Sequence, residues 1–174
     1  MIKNEHQYQV TKSWAEKFST AIASLRQNEE KKNKDPEGWQ LLQDSYQSQM
    51  KSLEDEIAEY EALIAHDPNQ PVVLKVNDFN KISDLLIKAR IALKISQKEL
   101  AYLCDRAEEQ IQNYEYKDYQ NASFIDFLAV SDALGIQIKD GNFLAQLHEF
   151  YKERLTAMRE SSHINYAELE TAGT

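Results

Sequence analysis

The chain is predicted to be all-α, and two observations carry that expectation. Apolar residues recur at spacings of three and four along most of its length, and only 4 of its 174 residues are glycine, too few for the turns of a β-rich fold. The order read from these patterns is a helical arm over residues 1–70, a linker over 71–77, a helical module over 78–138, and a C-terminal helix with a tail over 139–174.

In the arm, Val10, Trp14, Phe18, Ile22 and Leu25 form one face of a helix predicted to start near Thr11 or Ser13. The charged run 28–34 reads as a solvated loop or a frayed end. Asp35-Pro36-Glu37 is a helix start: Asp caps, Pro presets φ in the first turn, and Glu suits the positive end of the dipole. Trp39, Leu42, Tyr46, Met50, Leu53, Ile57, Tyr60 and Ile64 then recur with nearly the 3.5-residue period of a coiled-coil seam. That seam fits a helical hairpin within the chain or a coiled coil between two chains. His66-Asp67-Pro68-Asn69-Gln70-Pro71 ends the helix.

Residues 71–76 are short, apolar and β-branched, suited to an extended linker, and Asn77 or Asp78 caps the first helix of the module. Ser96-Gln97-Lys98-Glu99 is a capping box, in which Ser accepts from the amide three residues on and Glu reaches back. Leu100, Ala101 and Cys104 come next at buried spacing, then Asp105, then a helix predicted over residues 107–116 with Ile111 and Tyr114 inward. Leu134-Gly135 closes the next helix. Phe143, Leu144, Leu147, Phe150, Tyr151, Leu155 and Met158 trace a last amphipathic helix, and helical signals fade from about Ser161.

From about Ile82 to Ile136 this succession resembles the Xre-type, lambda-repressor-like helix-turn-helix family: Ala89-Arg90 near the end of a helix, Ser96-Gln97 opening the next, Leu100-Ala101, and a tight turn. The resemblance implies a five-helix module whose 107–116 helix enters the DNA major groove. The turn position, usually Gly in the family, is Asp105, which tolerates positive φ better than most residues. By the same resemblance Glu108 and Glu109 fall at base-reading positions, with Asn113 one turn on and Gln110 and Gln112 beside them. Gln97 falls where the family reaches a phosphate. Gln and Asn suit adenine edges, whereas Glu accepts only from cytosine. Lys94, Lys98, Arg106 and Lys117 are the nearest cations for a phosphate grip, and Tyr119 is a further phosphate candidate beside Tyr114 and Tyr116. The strings Ile2-Lys3-Asn4-Glu5, Tyr8 and Glu59-Tyr60-Glu61 resemble the start of the longer HigA-type antitoxins, which place helices before such a module.

The net charge of −9 cuts against a generic nucleic-acid binder without excluding one. The arm holds 8 Lys/Arg against 13 Asp/Glu, the module 7 against 10, and the C-terminal segment 4 against 6. Affinity for DNA then rests on a local patch and on pairing of two modules. A single cysteine, no basic-then-apolar leader and no long apolar run point to a cytoplasmic protein with no membrane partner. The four histidines lack a metal spacing, and no phosphate-cradling glycine loop or Gly-flanked serine is present, so neither an enzyme nor a cofactor is expected. Two functions remain. One is a homodimeric, sequence-specific transcriptional repressor on double-stranded DNA. The other is an antitoxin whose arm masks a toxin protein. The apolar surplus in the 39–64 seam and the 143–158 helix is expected to supply the dimer contact.

Overall fold

The computed structural model describes residues 1–76, 78–140 and 145–159, and every regular element among them is a helix. Residues Met1–Ile136 form one compact unit and Gln137–Thr174 a second.

Helix α1, Glu5–Gln27, starts earlier than the apolar repeat indicates, because the Asn4 side chain accepts from the Gln7 amide and caps it. Helix α2, Glu29–Lys34, occupies the charged run. Asn28 caps it through the Lys31 amide, and Lys34 pairs with Glu30 one turn back, so a six-residue helix forms without burying anything. Helix α3, Pro36–Ala65, begins where Asp35 accepts from the Gly38 amide and ends at His66. It packs on α1 within the same chain. Tyr8 meets Tyr60 at 5.2 Å between ring centroids, Phe18 meets Tyr46 at 5.8 Å, and the Trp39 indole donates to the Leu25 carbonyl at 2.9 Å. The falling partner numbers make the pair antiparallel. Two helices share only one contact line, so of the seam predicted on α3 only Tyr60 is fully buried, and Ile64 is exposed.

Residues 71–76 have no regular structure. Asp78 caps a single 3-10 turn, Phe79–Lys81, that runs into α4, Ile82–Ala92. Three short helices come after it: α5, Gln97–Leu103; α6, Glu108–Tyr116; and α7, Phe124–Ala133. Arm and module share one core. Ile2, Tyr60 and Leu63 from the arm lie in the same cluster as Leu86, Ile87, Leu100, Ile111 and Val130.

All four module helices end in the same way. The amide two residues past the C-cap donates to the carbonyl five positions back: Ile95 to Arg90, Arg106 to Ala101, Tyr119 to Tyr114 and Ile136 to Ser131. Between them stands a residue of positive φ, Lys94 (59°), Asp105 (53°), Asp118 (51°) or Gly135 (62°). This is the Schellman closure, and only the last uses the residue that adopts it freely. At Lys94, Asp105 and Asp118 the left-handed backbone costs about 1–2 kcal/mol each, offset by the closing backbone bonds and by the ion pairs and hydrogen bonds around each turn.

In the second unit the described helix, α8, covers 149–159. The Phe150 ring lies 5.3 Å from that of Tyr151, with the Arg154 guanidinium over it. Phe143 and Leu144 of the predicted stripe, and the tail from residue 160, fall outside the described residues. No described helix is long and apolar enough to cross a membrane.

Gly135 tests the cost of the closures. A Cβ there would meet nothing within 4 Å, so Gly135→Ala adds backbone strain alone. Chemical denaturation should show a loss of about 1–2 kcal/mol; an unchanged midpoint would contradict the positive φ.

Candidate nucleic-acid interface

The geometry of α6 depends on a charge pair in the core. Arg90 lies at buried spacing on α4 among Leu86, Ile87 and Ile91 and is 7% exposed. Its Nε and Nη2 donate to the two Glu115 oxygens at 2.5 and 2.8 Å, and Glu115 is 1% exposed on α6. Arg90 Nη1 also donates to the Ile95 carbonyl and Nη2 to the Lys3 carbonyl. Gln97, at the start of α5, donates to Glu115 Oε2 at 2.8 Å. One carboxylate therefore ties together α4, α5 and α6. Lys3 closes the assembly from the arm. Its ammonium donates to the Glu115 and Tyr116 carbonyls at the C-terminal end of α6 and pairs with Asp118 at 2.7 Å. A cation is favoured at that end of a helix, and Asp118 is one of the positive-φ residues. Lys94 does the same for the arm, donating to the Leu63 and Ile64 carbonyls at the end of α3, while Lys88 pairs with Glu59.

The capping box at Ser96 and Glu99 is present in both directions, and the Ser96 bonds hold the Glu99 carboxyl below its ordinary range. Leu100 and Ala101 are buried, as is Cys104, whose thiol pKa is raised by burial and whose sulfur lies 3.8 Å from the Ala129 carbonyl. The turn then passes through Asp105 into α6, with Ala107 at the N-cap and Ile111 and Tyr114 inward.

The sequence-predicted residues divide into two groups. Glu109, Gln112 and Asn113 are exposed on the outward face of α6, and Glu108, half-buried, accepts from Gln112 at 3.1 Å. Both glutamates lie in the first turn, where the helix dipole favours them. Lys98 on α5 and Lys117 at the C-cap of α6 are exposed and form no ion pair among the described residues. The others are held by neighbours. Gln97 is turned to Glu115. Gln110 donates to the Tyr114 hydroxyl at 2.5 Å. Arg106 is bound to Asp126 at 2.7 Å and to the Cys104 and Asp105 carbonyls, bracing the turn. Tyr119 is buried against Tyr114 and Phe127 and offers its hydroxyl to no ligand at the surface. Lys94 is occupied with α3. Tyr116, 77% exposed, extends the outward stripe of Glu109, Gln112 and Asn113. Sequence reasoning misses it there, although its place three positions after Asn113 puts it on the same face.

Asp126, near the start of α7, accepts from Ser123, Arg106 and Tyr114. These bonds, that from Ser123 foremost, lower its pKa from 3.8 to about 2. Among the described residues no group of three or more His, Cys, Asp or Glu is placed to hold a metal ion. Comparisons of the chain with protein-family models, curated proteins and solved structures give no match.

The core pair and the Asp126 cluster can each be tested by substitution. Arg90→Met leaves Glu115 buried without its counter-charge and should cost about 3–5 kcal/mol in urea denaturation, most of it recovered in Arg90→Met, Glu115→Leu. A double variant no better than the single one would show that the pair carries no coupling. The Asp126 carboxyl has a lowered folded pKa, so its stabilisation is full above about pH 4 and is lost as pH falls toward 2. Asp126→Asn should therefore flatten the acid limb of the stability profile over that window and leave its shape at neutral pH alone. An acid limb identical to that of the parent chain would contradict the assignment.

Proposed function

We propose that this chain is a sequence-specific DNA-binding transcriptional regulator, a repressor acting as a homodimer, with α5 and α6 as the two halves of a helix-turn-helix of the Xre type. The observation that carries this reading is the outward face of α6. Gln112 and Asn113 stand exposed in its middle, flanked by Glu109 and Tyr116, while the opposite face of the helix is fixed by Ile111, Tyr114 and Glu115. A rigid helix with exposed amide side chains is suited to reading base edges. The tight turn at Asp105 and the capped start of α5 support the same reading.

The cations refine it. Arg90, Lys94 and Arg106 are spent on the fold, so Lys98 and Lys117 remain to meet phosphates beside α6. Two phosphate contacts per module make non-specific affinity weak and give pairing of modules most of the work.

A second reading is favoured by the arm. Helix α3 carries seven carboxylates against one lysine, and its apolar seam is half-exposed, a surface suited to a basic protein. That agrees with an antitoxin whose arm covers a toxin while the module regulates its own operon.

The test uses a duplex selected from a random pool. Asn113→Ala should cost about 1–3 kcal/mol on that duplex and leave random DNA untouched, whereas Lys117→Ala should weaken all sequences alike and reduce the salt dependence. Equal losses on both duplexes for Asn113→Ala would reject its role in base reading. Failure of the parent chain to bind any duplex at low salt would remove the DNA reading and leave the arm as the functional surface.

A further inference from the structure

A cleft of about 660 Å³ lies where the arm meets the module, a volume suited to a small molecule. One wall is the start of the arm, with Lys3 and Val10. The other is the first turn of α4 together with Asp118 from the turn after α6. The start of α4 brings three polar side chains to this cleft: Lys81 at the N-cap, which does not cap the helix, then Ser83 and Asp84. Among the described residues none of these three side chains has a hydrogen bond or an ion pair. For Lys81, which is exposed, that is ordinary. For Ser83 it is not. Ser83 is only 9% exposed, and a hydroxyl so far removed from water normally has a partner.

We propose that this cleft binds a small zwitterion, an α-amino acid with an apolar side chain. Charge selects the class. An anion such as phosphate gains from the positive end of α4, the Ser83 hydroxyl and Lys81, yet it faces three carboxylates, Glu56, Asp84 and Asp118. A simple cation faces Lys3 and Lys81. A molecule that carries both charges meets each with its opposite. Its carboxylate accepts from Ser83 and pairs with Lys81 at the head of α4. Its ammonium is drawn to Asp84, the carboxylate of the three that has no ion pair, since Asp118 is held by Lys3. Val10, 43% exposed on the same cleft, gives the ligand's side chain an apolar wall. Lys3 lines the cleft while its ammonium holds the carbonyls at the end of α6, so an occupant acts on the reading helix as an effector. That last consequence rests on the regulator reading, whereas the binding itself does not.

Calorimetric titration of the full chain with L-leucine and with L-phenylalanine, in the absence of DNA, should show saturable binding of at least one at about 1 mM or tighter. The N-acetyl and amide derivatives of that amino acid each lack one charge and should bind about tenfold more weakly. Ser83→Ala removes a hydroxyl that supports no other contact, so it should keep the circular dichroism spectrum and melting temperature of the parent chain while losing about tenfold in affinity. Lys81→Gln, at an exposed position, should lose a similar factor. Lys75→Gln, on the exposed linker and outside the cleft, should bind as the parent does. Backbone amide shifts on adding the amino acid should concentrate at residues 81–84 and 118–120. No binding of either amino acid at about 10 mM, equal binding by either derivative, or undiminished affinity in Ser83→Ala or Lys81→Gln would each overturn the proposal. Ligand binding by a chain that binds no duplex would count against the regulator reading alone.

Discussion

The structure depends on one buried carboxylate. Glu115 would be costly inside the core by itself; what makes it tolerable is that every oxygen is occupied, by two nitrogens of Arg90 and the amide of Gln97. Because Glu115 and these partners come from three helices, α6, α4 and α5, satisfying the charge also fixes the angles between those helices. An apolar core of similar volume could be as stable, but it would not dictate one orientation of α6 in the same way. The exposed stripe of α6 inherits its aim from this arrangement. Lys3 adds a second fixation at the other end of the same helix, through the carbonyls that α6 leaves open.

This economy has a consequence for how charge is used. The first unit spends cations as mortar: Arg90 on Glu115, Lys94 on the end of α3, Lys88 on Glu59, Arg106 on Asp126 and Lys3 on the end of α6. Around α6 this leaves Lys98 and Lys117 without an ion pair among the described residues, on a chain already rich in carboxylates. For the regulator proposed above, an acidic composition is compatible with DNA binding provided that specificity comes from amide side chains and from pairing of two modules rather than from phosphate attraction.

Much of the local structure is legible in the sequence, and the reason is chemical. Ser96 with Glu99, Asp35 with Pro36, and Asp105 at the turn are each short-range devices whose partners lie within three or four residues. The hairpin is one of two open alternatives, since the same seam serves a partner helix from within the chain or from outside it. Less legible is the start of α1. Asn4 caps a first turn that buries little, so an apolar repeat beginning at Val10 misplaces the boundary. Helix α2 has no apolar residue to announce it. Glu115 and Tyr116 escape for opposite reasons: a carboxylate within a polar helix does not look buried, and a tyrosine near a loop does not look exposed. The usable signal for Glu115 is Arg90, a cation at core spacing that requires an anion somewhere. Nothing local can indicate Lys3, because its partners are 112 and 113 residues away.

That separation has a meaning for the order in which the molecule is made. A ribosome releases the arm first, and α1 and α3 can pair as soon as both have emerged, with only a six-residue helix and two caps between them. The Lys3 ammonium then has no helix end to meet until residues 115–118 have been synthesised and α6 has closed. During that interval the seam of the arm is only half covered, which is when a nascent chain is most exposed to wrong contacts. The contacts of Lys3 thus join parts of the chain made far apart in time, and they form only once α6 is complete.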